Sequence, residues 1–174
     1  MTGRLTGKTA WITGAGRGIG RSIALAMAAE GANLGLSSRT SAELETVADE
    51  ARAAGGQALA VVADAMSLAS TLAAAEAIAA GFGAIDILVN NAGILRDKSF
   101  KNMTLDEWDL VIDVHLRGTA YVTHAAWPIM YNKNYGRIVF TSSTSGIFGN
   151  FGQTNYAAAK MAMVGFMNAL AIEE

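Results

Sequence analysis

A short apolar run, Lys8 to Thr13 (KTAWIT), ends directly in the glycine cluster of TGAGRGIG, and a segment with helical spacing, Ile19 to Ala29, follows at once. This strand–glycine–helix order constrains the fold more than any other feature of the chain. Gly14, Gly16, Gly18 and Gly20 permit a tight turn and close backbone approach, while the start of the helix offers unpaired N–H groups to an anion. The spacing is Gly14-x-x-x-Gly18-x-Gly20 rather than G-x-G-x-x-G, and no Lys-Ser/Thr pair closes the turn as in a Walker loop. The physics suits a pyrophosphate. A glycine-rich turn that holds no ligand is the plainer alternative.

Further along, strand-like and helix-like segments alternate. Asn33 to Ser38 reads as a second strand, and Thr40 opens a helix with Glu43 as the partner in a capping box. Gln57 to Ala63, Ile85 to Asn90 and Gly136 to Ser142 supply three more strands, and Ser67 to Ala80 is an Ala-rich helix. Thr104 and Glu107 form another capping box, opening one long helix toward Tyr131 that Pro128 should kink or end. Short buried strands alternating with helices mean a parallel sheet covered on both faces. The handedness of β-α-β crossovers then favours a doubly wound sheet in a single α/β domain across residues 1–174.

Charge narrows the function. Only 16% of residues are charged, against roughly 25% in an average soluble domain. Between Gly118 and Ile172 the only charged side chains are Lys133, Arg137 and Lys160, so helices there should be buried in the domain or against another subunit. A net charge of -2 without a basic cluster argues against nucleic acid as a partner. With no cysteine, neither a disulfide framework nor a thiolate metal site is available, and no metal is expected. The start lacks the apolar run of a signal peptide and no segment is long enough to span a bilayer, so the default expectation is a cytoplasmic protein with no membrane partner.

Chemistry concentrates in NYAAAK and TSSTSG. Tyr156 and Lys160 are four apart and share one helix face, with Ser143 thirteen residues before the tyrosine at a strand end. An ammonium so placed favours the phenolate and lowers a tyrosine pKa that is about 10 when unperturbed. A hydroxyl from the strand end could hold a substrate oxygen while the tyrosine gives or takes its proton. On spacing alone, an ordinary helix with an incidental Tyr and Lys stays open. At the end of the second strand, Ser37-Ser38-Arg39 replaces the carboxylate that would bind the ribose 2′-hydroxyl of NAD(H). Arg39, with Arg17 in the glycine turn, suits a 2′-phosphate, so NADP(H) is expected ahead of NAD(H).

In this order TGAGRGIG, NNAG (Asn90 to Gly93), Ser143 and Tyr156-x-x-x-Lys160 resemble the short-chain dehydrogenase/reductase family over essentially the whole chain. The resemblance implies a Rossmann-type sheet of strand order 3-2-1-4-5. It implies that Gly14, Gly18, Ile19 and Gly20 surround the pyrophosphate, that Asp64 meets the adenine, and that Asn90, Ala92 and Gly93 line the cofactor. Tyr156 would be the general acid/base, Lys160 would lower its pKa and hold the nicotinamide ribose, and Ser143 would orient the carbonyl. Ser142 and Ser145 are read as strand-end and loop residues. GNFGQTNYAAAK is similar to 3-oxoacyl-acyl-carrier-protein reductases. GILRDKSF, VHLRG and AAWPIM are similar to the hydroxyacyl-CoA dehydrogenase units of multifunctional β-oxidation enzymes. Both imply a 3-oxo/3-hydroxyacyl thioester substrate, and the family implies a homo-oligomer, dimer or tetramer. A non-catalytic nucleotide-binding or scaffold protein, or an inactive fragment of a longer reductase, is the competing reading.

Two departures stand out. Many members carry an asparagine that helps hold a water near the lysine where this chain has His115; helix packing and a proton relay are both open for that histidine. His124, Trp108, Trp127 and the methionines are read as core or interface. The family also continues past the Tyr156 helix with further strands, so a C-terminally incomplete domain is expected, with the fifth strand as an open sheet edge.

Overall fold

The computed structural model describes residues 3–173. Five parallel strands, β1 (Thr9–Thr13), β2 (Asn33–Ser38), β3 (Gln57–Val62), β4 (Ile87–Asn90) and β5 (Arg137–Phe140), form one sheet in the order β3-β2-β1-β4-β5. This is the Rossmann-type order that the resemblance implied. The reversal of direction after β1 puts the ends of β1 and β4 at the switch point, where doubly wound sheets bind ligands.

All five residues of β1 are buried because both faces of the sheet are covered. Ala10 and Ile12 point to one layer, with α1 (Gly18–Ala29) and α2 (Ser41–Ala53) packing there through Ala24, Ala28, Leu44, Val47 and Ala51. Trp11 points to the other, where α3 (Leu68–Phe82) and α5 (Gly118–Lys133) bring Ala74, Ala75, Ile78, Val122 and Ala126. That alternation is the two-residue period of a strand. Gly35 lets α3 come close: a Cβ there would be 2.5 Å from Ile78 Cδ1.

Several local expectations are corrected. Thr104 and Glu107 do make a reciprocal capping box at the start of α4 (Leu105–Ile112), with bonds of 3.2 and 3.0 Å. Thr40 does not: its side chain makes no cap bond, and its N–H donates to Ser38 Oγ at 3.3 Å. Glu43 is absent from that box because its carboxylate lies against Gly16. The single long helix after Thr104 is three pieces, α4, a π-turn at Asp113–Arg117 that carries His115, and α5. Pro128 sits inside α5 and does not end it; Pro128 and His124, whose carbonyl loses its N–H partner, both lie on the exposed side, where water can replace the bond. Asn134, at φ 52, ends the helix instead.

Two further helices complete the fold, a short α6 (Thr144–Phe148) and α7 (Thr154–Leu170). Ser145 therefore belongs to the first turn of a helix rather than to a loop. β5 is the sheet edge, with Arg137 and Val139 exposed and Ile138 and Phe140 half-buried. Trp108 and Trp127 are half-buried, whereas His124 is exposed and takes no part in the core. Among the described residues no helix is long and apolar enough to cross a membrane.

Candidate active site

Thr13, the last residue of β1, ties the switch point together. Its hydroxyl accepts the N–H groups of Asn91 and Ala92 at 3.0 and 3.1 Å and donates to the Val89 carbonyl at 3.3 Å. The Asn91 amide reaches back to the Thr13 and Gly14 carbonyls at 3.0 and 3.3 Å. Gly14 and Gly18 have φ of 63 and 56, a conformation that side chains disfavour. A Cβ on Gly14 would meet Ala92 Cα at 2.9 Å, and one on Gly20 would meet the Gly14 carbonyl oxygen at 2.2 Å. The glycines are therefore required by the crowded turn itself.

This turn opens on a cleft of about 340 Å³. Gly14, Arg17 and Ile19 border it from the turn, Ser38 and Arg39 from the end of β2, Asp64 from the loop after β3, and Ala92 and Gly93 from the loop after β4. Gly18 and Gly20 shape the turn without lining the cleft. Asn90 lies deeper, 3% exposed, with its Nδ2 donating to Thr123 Oγ1 at 3.0 Å and its Oδ1 unpaired. A glycine cradle at a helix start, opening on a cleft that two arginines line, fits a dinucleotide. Trp11 forms part of the wall, its indole N–H held by Ser37 Oγ at 2.8 Å.

Beside the cleft, α7 presents Tyr156 and Lys160 on one face, as their spacing requires. Lys160 is 3% exposed; its ammonium donates to the Thr141 carbonyl at the end of β5 and stands 5.5 Å from the Tyr156 ring centroid. Ser142 Oγ donates to the Lys160 carbonyl at 3.0 Å, so the end of β5 and the middle of α7 are joined twice. Ser143 caps α6, accepting the Ser145 N–H at 3.2 Å. No hydrogen bond joins Ser143 to Tyr156 among the described residues.

His115 closes the other side. The π-turn aims its ring edge-on at Tyr156, and Nε2 lies 3.1 Å from the Ile94 nitrogen and 2.7 Å from the Ile94 oxygen, accepting or donating according to tautomer. The ring is 2% exposed and Nδ1 has no partner. Burial, reinforced by the nearby Lys160 charge and opposed by the Ile94 bond, pushes the imidazole down to about 4. Burial likewise lowers the Lys160 ammonium to about 8.

Asn155 was not singled out by its sequence. It is fully buried, its Nδ2 donates to the Arg96 and Glu107 carbonyls at 3.2 Å each, and its Oδ1 accepts the Tyr156 N–H at 2.7 Å. An asparagine before a tyrosine carries no signal by itself; the partners 48 and 59 residues away decide its importance.

A family model described as short chain dehydrogenase matches residues 8–174. The chain is 47% identical over 182 residues to the peroxisomal multifunctional enzyme type 2 of Drosophila melanogaster, covering 98% of this chain and 29% of that protein. It is 46% identical over 172 residues to the oxidoreductase UcpA of Escherichia coli K12, covering 98% of this chain and 65% of that one. A solved NAD+-bound xylitol dehydrogenase superposes with a TM-score of 0.95 at 30% identity, covering 98% of this chain and 66% of the other. The chain thus spans between about a quarter and two fifths of the length of the multifunctional enzymes it matches.

Proposed function

The chain belongs to the short-chain dehydrogenase family, and from that premise we propose that it is an oxidoreductase interconverting a ketone and a secondary alcohol on a 3-oxo/3-hydroxyacyl thioester. The observation that carries this reading is the buried Lys160 ammonium beside the Tyr156 ring, next to a glycine-cradled cleft. A scaffold protein has no use for a buried cation facing a phenol.

Gly14, Gly18, Ile19 and Gly20 would hold the pyrophosphate, Asp64 would face the adenine, and Asn90, Ala92 and Gly93 would back the nicotinamide half. Arg17 and Arg39 line the cleft and support NADP(H) as the preferred cofactor. When bound, the nicotinamide supplies the hydride. In reduction Ser143 holds the carbonyl oxygen, and Tyr156 delivers a proton to it as negative charge develops. Lys160 keeps a positive charge beside the phenol and offers its ammonium to the nicotinamide ribose. A relative in Neurospora crassa, named peroxisomal hydratase-dehydrogenase-epimerase, joins a dehydrogenase to a hydratase, which supports a hydroxyl-bearing substrate. The thioester rests on the likeness of GILRDKSF, VHLRG and AAWPIM to hydroxyacyl-CoA dehydrogenase units.

Exposed apolar residues on α4 and α7, among them Leu105 and Met161, support self-association; light scattering showing a stable monomer would remove that part. The central test is NADPH consumption with an acetoacetyl thioester, with Tyr156→Phe as control. Turnover is expected from the first protein and loss of nearly all of it from the second. Equal rates would remove the catalytic assignment.

A further inference from the structure

Glu43 stands in the first turn of α2, where an acid can turn back to close a capping box. It turns outward instead. A Cβ built on Gly16 would sit 3.0 Å from Glu43 Oε2 and 3.3 Å from Ser38 Oγ. Glu43 and the strand-end hydroxyl therefore converge on the glycine turn at Gly16. Glu43, Ser38, Arg17 and Arg39 all border the same end of the cleft, and no salt bridge among the described residues joins Glu43 to either arginine. The half-buried Glu43 thus lines the cleft with no cation paired to it among the described residues.

In dinucleotide sites of this topology, the ribose hydroxyls lie at the end of β2 and are usually met by an acid on the strand. β2 here ends in Ser37 and Ser38, with Arg39 next. We propose that Glu43 supplies the missing acid from the following helix, accepting the adenosine ribose hydroxyls and penalising a 2′-phosphate. This rests on reading the cleft as a nicotinamide-dinucleotide site. Cofactor choice is then a balance of opposed charges: Arg17 and Arg39 attract the 2′-phosphate, Glu43 repels it, and the resulting preference is shallow. The sequence pattern, an arginine with no strand-end acid, shows only one side of that balance.

The test uses calorimetric titration of the chain with adenosine 5′-monophosphate and adenosine 2′,5′-bisphosphate, which probe this end of the cleft without the nicotinamide. Glu43→Gln should tighten the bisphosphate roughly tenfold, as expected for removing one negative charge close to a phosphate in a partly solvated cleft. It should weaken the monophosphate by about threefold through loss of a charged hydrogen-bond acceptor. Glu43→Ser, which keeps a polar helix start, should likewise tighten the bisphosphate and weaken the monophosphate. An unchanged ratio in both variants overturns the proposal. Arg39→Ala reports on the NADP(H) reading separately: if it leaves the bisphosphate affinity unchanged while Glu43→Gln still shifts the ratio, the arginine reading fails and the Glu43 assignment stands. No binding of either nucleotide to protein with an intact circular dichroism spectrum overturns both.

Discussion

The His115 imidazole meets the Tyr156 phenol edge-on, with ring centroids 5.2 Å apart and planes at 86°. The same imidazole holds the Ile94 backbone, just past the Asn90–Gly93 segment at the end of β4. One side chain therefore joins the strand end that borders the cleft to the phenol on α7. A ring that must stay in this slot is better neutral than charged, because a buried imidazolium would face the Lys160 ammonium without a counter-ion.

His115 should make the protein acid-sensitive. Its folded value of about 4 lies below the usual 6.5, so between those pH values the unfolded chain binds the proton that the folded chain refuses. The resulting stability is fully present above pH 6.5 and is lost as pH falls toward 4, by roughly 3 kcal/mol in total. Urea denaturation at pH 7.5, 6 and 5 should show this slope, and His115→Asn should flatten it. Parallel slopes in the two proteins would mean that His115 titrates normally.

Gly93 should not tolerate a methyl group. A Cβ there would come within 2.3 Å of His115 Cε1, and the buried ring has little room to retreat. Gly93→Ala is expected to cost about 1–3 kcal/mol by overpacking. The loss should shrink when His115 is also changed to Ala, a coupling that a double-mutant cycle measures. Additive losses would place the strain elsewhere.

Such couplings mark where sequence reading stops. The glycine turn, the Thr104–Glu107 box and the Tyr156–Lys160 spacing are local, with their partners within a turn or two, and all are legible before folding. Strand order was legible through the family resemblance and the alternation of short apolar runs. The π-turn at Asp113–Arg117 was not, since periodicity across Thr104 to Tyr131 reads as one helix and the extra residue shows only in the backbone. Glu43 was misread because a capping box and a cleft-facing acid share one position, and tertiary packing chooses between them. Asp86 was not singled out, because its partner Lys133 lies 47 residues on.

Asp86 and Lys133 should respond unequally to mutation. Asp86 is 1% exposed, accepts the Thr9 N–H at 2.9 Å and pairs with Lys133 at 2.5 Å, while the Lys133 side chain is 43% exposed. Burial alone would raise the Asp86 carboxyl, but Lys133 and the Thr9 N–H outweigh it and hold it below the usual range. Lys133→Met strands a buried carboxylate and is expected to cost about 3 kcal/mol, whereas Asp86→Asn frees a lysine that water can solvate and should cost less. Denaturant midpoints decide the order; the reverse order would show that Lys133 is dispensable.

Lys160 should impose a basic limb on ketone reduction. Its ammonium, lowered to about 8 by burial, is charged at neutral pH and loses its proton as pH rises through that value. The positive charge beside Tyr156 then disappears. Turnover measured from pH 6 to 10 at saturating cofactor is expected to fall above about pH 8. A profile that stays flat through pH 9 would separate the rate from the charge on Lys160.

Asn155 should act on rate as well as stability. Its amide bridges the backbone at Arg96 and Glu107 to the N–H of Tyr156, so three chain segments fix where the phenol begins. Asn155→Ala leaves two carbonyls and one N–H without that partner in a fully buried spot, at a cost of roughly 2 kcal/mol. Because the cleft-forming bonds of Thr13 and Asn91 are untouched, cofactor affinity should hold within about twofold. Turnover should fall by about tenfold, the consequence of a proton donor displaced by a fraction of an ångström. A folded Asn155→Ala protein with lower stability but unchanged turnover would confine this residue to packing.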